Sequence, residues 1–180
     1  MKRYGILAAS AALLVAASVV AVRAHAADII SNGASAPAFT LPSQDTPAVS
    51  LSDYSGKWVV LYFYPKDKTQ GCTIEAHNFQ RDLDKFKAAN AVVLGVSLDT
   101  ADSHRSFCSK ESLTFKLLAD TEHKVADSYG VTIKGAGPIK YADRETILIS
   151  PSGKVAKTWI SVDPNVHSTE VLASIESLKK

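Results

Sequence analysis

The chain has 180 residues, 20 of them basic and 18 acidic, for a formal net charge of +2, and it holds only two cysteines. Three of the bases, Lys2, Arg3 and Arg23, fall within the first 26 residues, so the remaining 154 carry 17 bases against 18 acids, a net charge of about −1. With no Lys/Arg run elsewhere, that balance gives no electrostatic case for nucleic acid, and 154 residues fit one domain built round a single core.

Lys2 and Arg3 precede an uncharged apolar stretch over 6–22, and Ala24-His25-Ala26 supplies a small-x-small cleavage pattern. These features predict a secretory signal peptide over 1–26 and a periplasmic mature domain over 27–180 with no stable membrane association. The competing reading is a retained inner-membrane anchor, which the many Ala and Ser residues weaken. Export would place Cys72 and Cys108 where disulfides persist, so a static staple is the default reading of the pair. Closing a loop of that length would remove about 4 kcal/mol of denatured-state entropy in the simple chain model.

Residues 28–47 read as an extended lead-in with a short apolar stretch near Phe39 and Leu41, and 51–57 as a turn. Residues 58–64 are apolar or aromatic throughout, which predicts a strand buried on both faces. A Pro-to-Gly loop then delivers Cys72 to the first turn of an amphipathic helix, whose stripe is Ala76, Phe79, Leu83 and Phe86. A second apolar strand covers 91–98, and the Asp/Thr residues at 99–102 cap a helix through about Glu111, with Cys108 late in it. A strand over 115–119, a short helix over 123–129 and a glycine-containing loop over 134–143 follow. Strands over 146–150 and 155–160 flank a Pro-Ser-Gly-Lys turn as a hairpin, and a helix over 166–178 closes the chain. No internal repeat or low-complexity segment is present.

Sequential strand-helix-strand steps make the first strands parallel by right-handed crossover, while the hairpin adds an antiparallel pair. The fold class expected is therefore α/β: a thioredoxin-like fold with a central mixed β-sheet flanked by helices and an N-terminal extension.

A thiol attacks as thiolate, and a helix N-terminus favours that anion. Arg144, just ahead of the strand over 146–150, is a candidate second source of positive charge, on the argument that parallel neighbours bring loop ends together. The block Phe63-Tyr-Pro65-Lys-Asp-Lys-Thr69-Gln-Gly71-Cys72-Thr-Ile-Glu75-Ala resembles the P-x-x-x-T-x-x-C motif of the peroxiredoxins, the AhpC/TSA-like thiol peroxidases, in the form carried by the bacterioferritin-comigratory or Q-type subfamily. Gly95-Val-Ser, the stretch from Ser103-His104 to Phe107, residues 115–120, Asp127-Ser-Tyr-Gly130-Val, Arg144-Glu-Thr146 and residues 167–172 extend the resemblance over nearly all of 34–180.

The resemblance implies that Cys72 is the peroxidatic cysteine, attacking a hydroperoxide to become a sulfenic acid. It implies that Thr69 hydrogen-bonds thiolate and peroxide, that Pro65 shields the pocket, and that Arg144 orients Cys72 and stabilises charge on the peroxide oxygens, with the Gly71 and Cys72 N–H groups as further donors. Many subfamily members place the resolving cysteine five residues on, where this chain has His77. Cys108 matches the subfamily's other arrangement, an intramolecular partner on the next helix. Because Cα atoms beyond about 7 Å cannot be bridged, the first turn around Cys72 would have to unwind. The resemblance further implies a hydroperoxide substrate, a thioredoxin-like reductant, a monomer, and no cofactor, metal or haem.

A thioredoxin-like disulfide oxidoreductase would need C-x-x-C, and Thr69 stands where its first cysteine would be. A non-catalytic domain on the same fold is the remaining alternative. Glu75 fits either helix-dipole complementation or a bond to Arg144. His77, His104, His123 and His167 lack ligand spacing and read as surface or helix-end residues. Trp58, Trp159, Tyr62 and Phe63 read as packing residues, with one aromatic available to wall a pocket beside Cys72.

Overall fold

From Asp28 the chain is pinned along the sheet by bridges from Ser35 to Lys154 and from Ser43 to Leu118, in a computed structural model that describes residues 28–179. The leader predicted over 1–26 lies outside those residues. The elements in order are β1 (Thr40–Leu41), β2 (Val49–Ser50), β3 (Trp58–Phe63), α1 (Gln70–Arg81), α2 (Leu83–Ala88), β4 (Ala91–Ser97), α3 (Ala101–Glu111), β5 (Lys116–Ala119), α4 (Lys124–Ser128), β6 (Ile133–Ala136), β7 (Ile139–Ala142), β8 (Glu145–Ile149), β9 (Val155–Trp159) and α5 (His167–Leu178).

The central sheet has the order β5-β4-β3-β8-β9. β3, β4 and β5 run parallel, and β8 and β9 are antiparallel additions. Successive residues of β3 point to opposite faces, and both faces are covered. Val60, Tyr62 and Tyr64 pack with Phe79, Phe86, Phe107 and Val171 of the helices on one side. Val59, Leu61 and Phe63 pack with Val125, Tyr129 and the lead-in residue Phe39 on the other. Double-sided burial is why this strand is apolar without alternation, and the arrangement is the thioredoxin-like one expected.

Two elements depart from the sequence reading. The single helix expected after Cys72 breaks at Asp82, which sits at φ −95° and ψ 6° between α1 and α2. The Asp82 carboxylate turns inward and accepts from Lys85 Nζ and Ser168 Oγ, both at 2.8 Å. Leu83 and Phe86 resume on the same core face, so the apolar repeat passes through the break undisturbed. The loop expected over 134–143 is a two-stranded antiparallel hairpin, β6 with β7. Its Gly135, at φ +94°, brings the strands so close that a Cβ would meet the Ile139 carbonyl, and the glycines that make the turn also hide the strands.

Gly95 in β4 leaves room for the Tyr62 ring, since a Cβ there would lie 2.6 Å from Leu117 Cδ2 and 2.7 Å from the Tyr62 hydroxyl. Tyr62 in turn stacks on Phe79 of α1 at 4.7 Å between centroids. Gly95→Ala is therefore expected to destabilise the domain by about 1–3 kcal/mol through overpacking. Urea unfolding should show a lower midpoint with an unchanged slope, and an unchanged midpoint would contradict this packing account.

Candidate active site

β3 ends beneath a short loop that reaches the left-handed region at Lys68, φ +64°, and Thr69 follows as the extended N-cap of α1. Cys72 is the third residue of that helix, where backbone N–H groups lack intrahelical acceptors and the dipole is positive. Its side chain is buried. Thr69 directs its hydroxyl to the Lys66 carbonyl at 3.0 Å, leaving its oxygen free to accept. Pro65 and Thr69 line a cleft of about 440 Å³ with Leu98, Ile139 and Tyr141.

Arg144 arrives by strand pairing. Phe63 at the end of β3 faces Glu145 at the start of β8, so the residue before β8 lies beside the loop after β3. That juxtaposition depends on the two strands being antiparallel, which corrects the parallel-neighbour argument from sequence. Arg144 Nη2 lies 3.3 Å from Cys72 Sγ, and Nη1 donates to Glu75 Oε2. The guanidinium passes so near Gly71 that a Cβ there would sit 3.3 Å from Nη2.

Glu75 follows Cys72 by one helical turn and is 1 % exposed, so its role is the ion pair with Arg144 rather than surface capping. Burial pushes its carboxyl up to about 7, against the pull of Arg144 in the other direction. For Arg144 itself burial opposes the charge, but Glu75 and Cys72 outweigh it and hold the guanidinium above its ordinary value. The fork thus spans a carboxylate and a thiol, which suits it to stabilise a thiolate or an anion forming beside the sulfur.

Cys108 is also buried and also a free thiol. Burial pushes it up to about 12, with Asp67 and Asp45 adding to the effect. Both cysteines belong to the core cluster that contains Tyr62 and Tyr64. His77 of α1 pairs with Glu111 of α3 at 3.0 Å, and Gln80 accepts from the Thr114 N–H at 2.8 Å, so the two cysteine-bearing helices are joined beyond the first turn.

Two histidines are fully buried; His104, inside α3, departs from the surface or helix-end reading, while His167 is a helix-end residue as expected. His167 opens α5 but lies edge-on to Phe79 and Trp159, bonds Thr146 through Nε2 at 2.9 Å, and is held down to about 4 by burial. His104 lies in α3 against Asp67, whose carboxylate also accepts from Tyr64 and Ser103. Sequence reasoning passed over Asp67, and its partners lie up to 37 positions away, so no local spacing signals them.

Residues 32–158 match the family model described as the AhpC/TSA family. Among curated proteins, the chain is 39% identical over 154 residues to Peroxiredoxin Bcp of Bacillus subtilis, covering 84% of this chain and 98% of that protein. Among solved structures, a cysteine-to-serine mutant of PrxQ from Xylella fastidiosa superposes with a TM-score of 0.78 at 33% identity, over 84% of this chain and 98% of that one. The Xanthomonas campestris bacterioferritin comigratory protein, studied for alkyl peroxide reduction, superposes with a TM-score of 0.73 at 32% identity, over 79% and 92%.

Glu75 binds its proton more tightly in the folded state, about 7 against an ordinary 4.5. Its contribution is therefore most favourable below the ordinary value and is lost as pH rises towards the folded one, a change on the order of 3 kcal/mol. Glu75→Gln should flatten this decline. Comparing urea midpoints of the two proteins at about pH 5 and about pH 7.5 checks it, and parallel profiles would refute the burial of an ionisable Glu75.

Proposed function

This chain belongs to the AhpC/TSA family and is a thiol-dependent peroxidase, an oxidoreductase; we propose that Cys72 is the thiol that meets the hydroperoxide and Cys108 the one that resolves it. The observation that carries this reading is the Arg144 fork, anchored on Glu75 and lying 3.3 Å from Cys72 Sγ. Cys72 thiolate attacks the terminal oxygen of a hydroperoxide, and an S–O bond forms as O–O breaks. The departing alkoxide or hydroxide takes up one proton, equivalent to the one the thiol released on ionising, to leave as alcohol or water with Cys72 as sulfenic acid. Arg144 stabilises the thiolate before the step and the departing oxygen during it, and the Gly71 and Cys72 N–H groups supply further donors. Thr69 offers its hydroxyl oxygen and Pro65 the apolar wall of the adjoining cleft.

The resulting sulfenic acid meets the Cys108 thiol, forming a disulfide and water. Both sulfurs are buried on separate helices, so the first turn of α1 opens for them to meet. A thioredoxin-like dithiol then restores both thiols, and hydrogen peroxide and organic hydroperoxides are the substrate class. The domain acts as a monomer. The leader over 1–26 directs it to the periplasm and is cleaved near Ala26, and in that oxidising compartment a dedicated reducing relay must supply the dithiol. Intact mass of the protein recovered from the periplasm should match a chain beginning at residue 27, and a full-length mass in the membrane fraction would refute cleavage.

Peroxide consumption with a dithiol donor should vanish in Cys72→Ser, while Cys108→Ser should complete one fast turnover and accumulate sulfenic acid. Retained activity in Cys72→Ser would overturn the assignment. Arg144→Lys keeps the charge but loses the fork, so the second-order rate of Cys72 with peroxide should fall about 10²-fold or more, and a change under about twofold would dismiss the fork's role. Hydrogen exchange over residues 69–80 should be faster in the disulfide form than in the dithiol form, and equal protection would count against opening of α1.

A further inference from the structure

Outside the Cys72 site, the most heavily bonded buried acid near the second cysteine is Asp67. Its carboxylate accepts from the Tyr64 hydroxyl at 2.7 Å, the Ser103 hydroxyl at 2.7 Å and His104 Nδ1 at 2.9 Å. Its backbone N–H donates to Asp99 Oδ2 at 2.9 Å. An acid on Nδ1 makes that nitrogen the donor, so of the two neutral tautomers it selects the one with the lone pair on Nε2. His104 Nε2 is buried and has no hydrogen-bond partner among the described residues.

That unused base lies one turn before Cys108. The two residues are four apart on α3 and both are buried, so they are neighbours on one face, with no hydrogen bond yet joining His104 Nε2 to the thiol in this dithiol form. We propose that His104, oriented by Asp67, takes the proton from the Cys108 thiol as Cys108 attacks oxidised Cys72. The inference rests on the reading of Cys108 as the resolving thiol.

In this step the Cys108 S–H bond breaks and its proton passes to His104 Nε2. The thiolate forms an S–S bond with Cys72 Sγ while the Cys72 S–O bond breaks, so Cys108 is oxidised and Cys72 reduced by the same electron pair. The departing hydroxide recovers a proton from the imidazolium and leaves as water. Burial holds the Cys108 thiol up at about 12, so unaided it offers almost no thiolate near neutral pH. The base also stays in place as α1 opens. Asp67 is tied to α3 through Ser103 and His104, and Lys68 Nζ donates to Ser106 at 2.9 Å, so the chain up to Lys68 remains docked while the turn after it moves.

The test separates the two chemical steps. After rapid mixing with hydrogen peroxide, sulfenic acid and disulfide are quantified by quenched mass spectrometry over time. His104→Asn keeps a donor to Asp67 and removes the base. Sulfenic acid formation should stay within about twofold of wild type, while disulfide formation should slow on the order of 10²-fold near pH 7. The slowed rate should climb with pH towards the range of the thiol itself. The ionisable groups in contact with the ring, Asp67 and Tyr64, and Cys108 one turn on are unchanged in this variant, so the altered profile reports the imidazole. Asp67→Asn, a second route should the first variant fold poorly, should also slow disulfide formation selectively. Equal disulfide rates in wild type and His104→Asn, or a common fall of both steps in both variants, would overturn the proposal. Cys108→Ser run alongside distinguishes the layers: an intramolecular Cys72 disulfide still forming there defeats the assignment of Cys108. A single turnover there, with normal resolution in His104→Asn, defeats only the role of His104.

Discussion

The antiparallel register of β3 against β8 is the constraint on which the site depends. A sheet built only from parallel crossovers would place the start of β8 at the far edge from the loop that carries Cys72. Pairing Phe63 with Glu145 reverses that, and the side chain just outside β8 then reaches the first turn of α1. One register choice therefore sets the distance between cation and sulfur. A slip by a single residue would exchange the faces of β8 and turn Ile147 and Ile149, now buried with Val59 and Leu61, out of their core. The same hydrophobic pattern that fixes the fold fixes the electrostatics.

That electrostatic arrangement works against folding as well as for chemistry. Arg144 and Glu75 are taken largely out of water, and the attraction between buried ions is commonly no larger than the desolvation each suffers. One Glu75 oxygen is buried without a partner among the described residues, which a purely stabilising pair would avoid. The pair is better understood as a rigid mount. It holds the guanidinium in one orientation, so no reorganisation is needed when negative charge appears beside Cys72.

Much of this was legible in the sequence, and the reasons are uneven. The β3 run shows because double-sided burial leaves seven consecutive apolar or aromatic residues, Trp58 to Tyr64. Cys72 at a helix start shows because the loop punctuation and the periodic stretch adjoin. The break at Asp82 was invisible, since Leu83 and Phe86 continue the stripe that Ala76 and Phe79 begin. The β6–β7 hairpin was invisible because its glycines and Pro138 are also the residues of a loop. Glu75 was ambiguous until burial decided between its two roles. His104 was misjudged because its burial depends on Asp67, a residue of another element, and long-range polar pairing leaves no period in the chain.

The bond between His77 and Glu111 lies five residues beyond Cys72, and the ties of Asp67 and Lys68 to α3 lie five and four residues before it. If α1 opens as proposed, Cys72 travels on a short tether fastened to α3 at both ends. A sulfur confined this way faces its partner at an effective concentration at or above the millimolar range of short flexible linkers. On the proposed assignment of Cys72 and Cys108, an outside thiol must outcompete that local concentration to intercept the sulfenic acid. The helical contacts thus act as a filter on which thiol answers first.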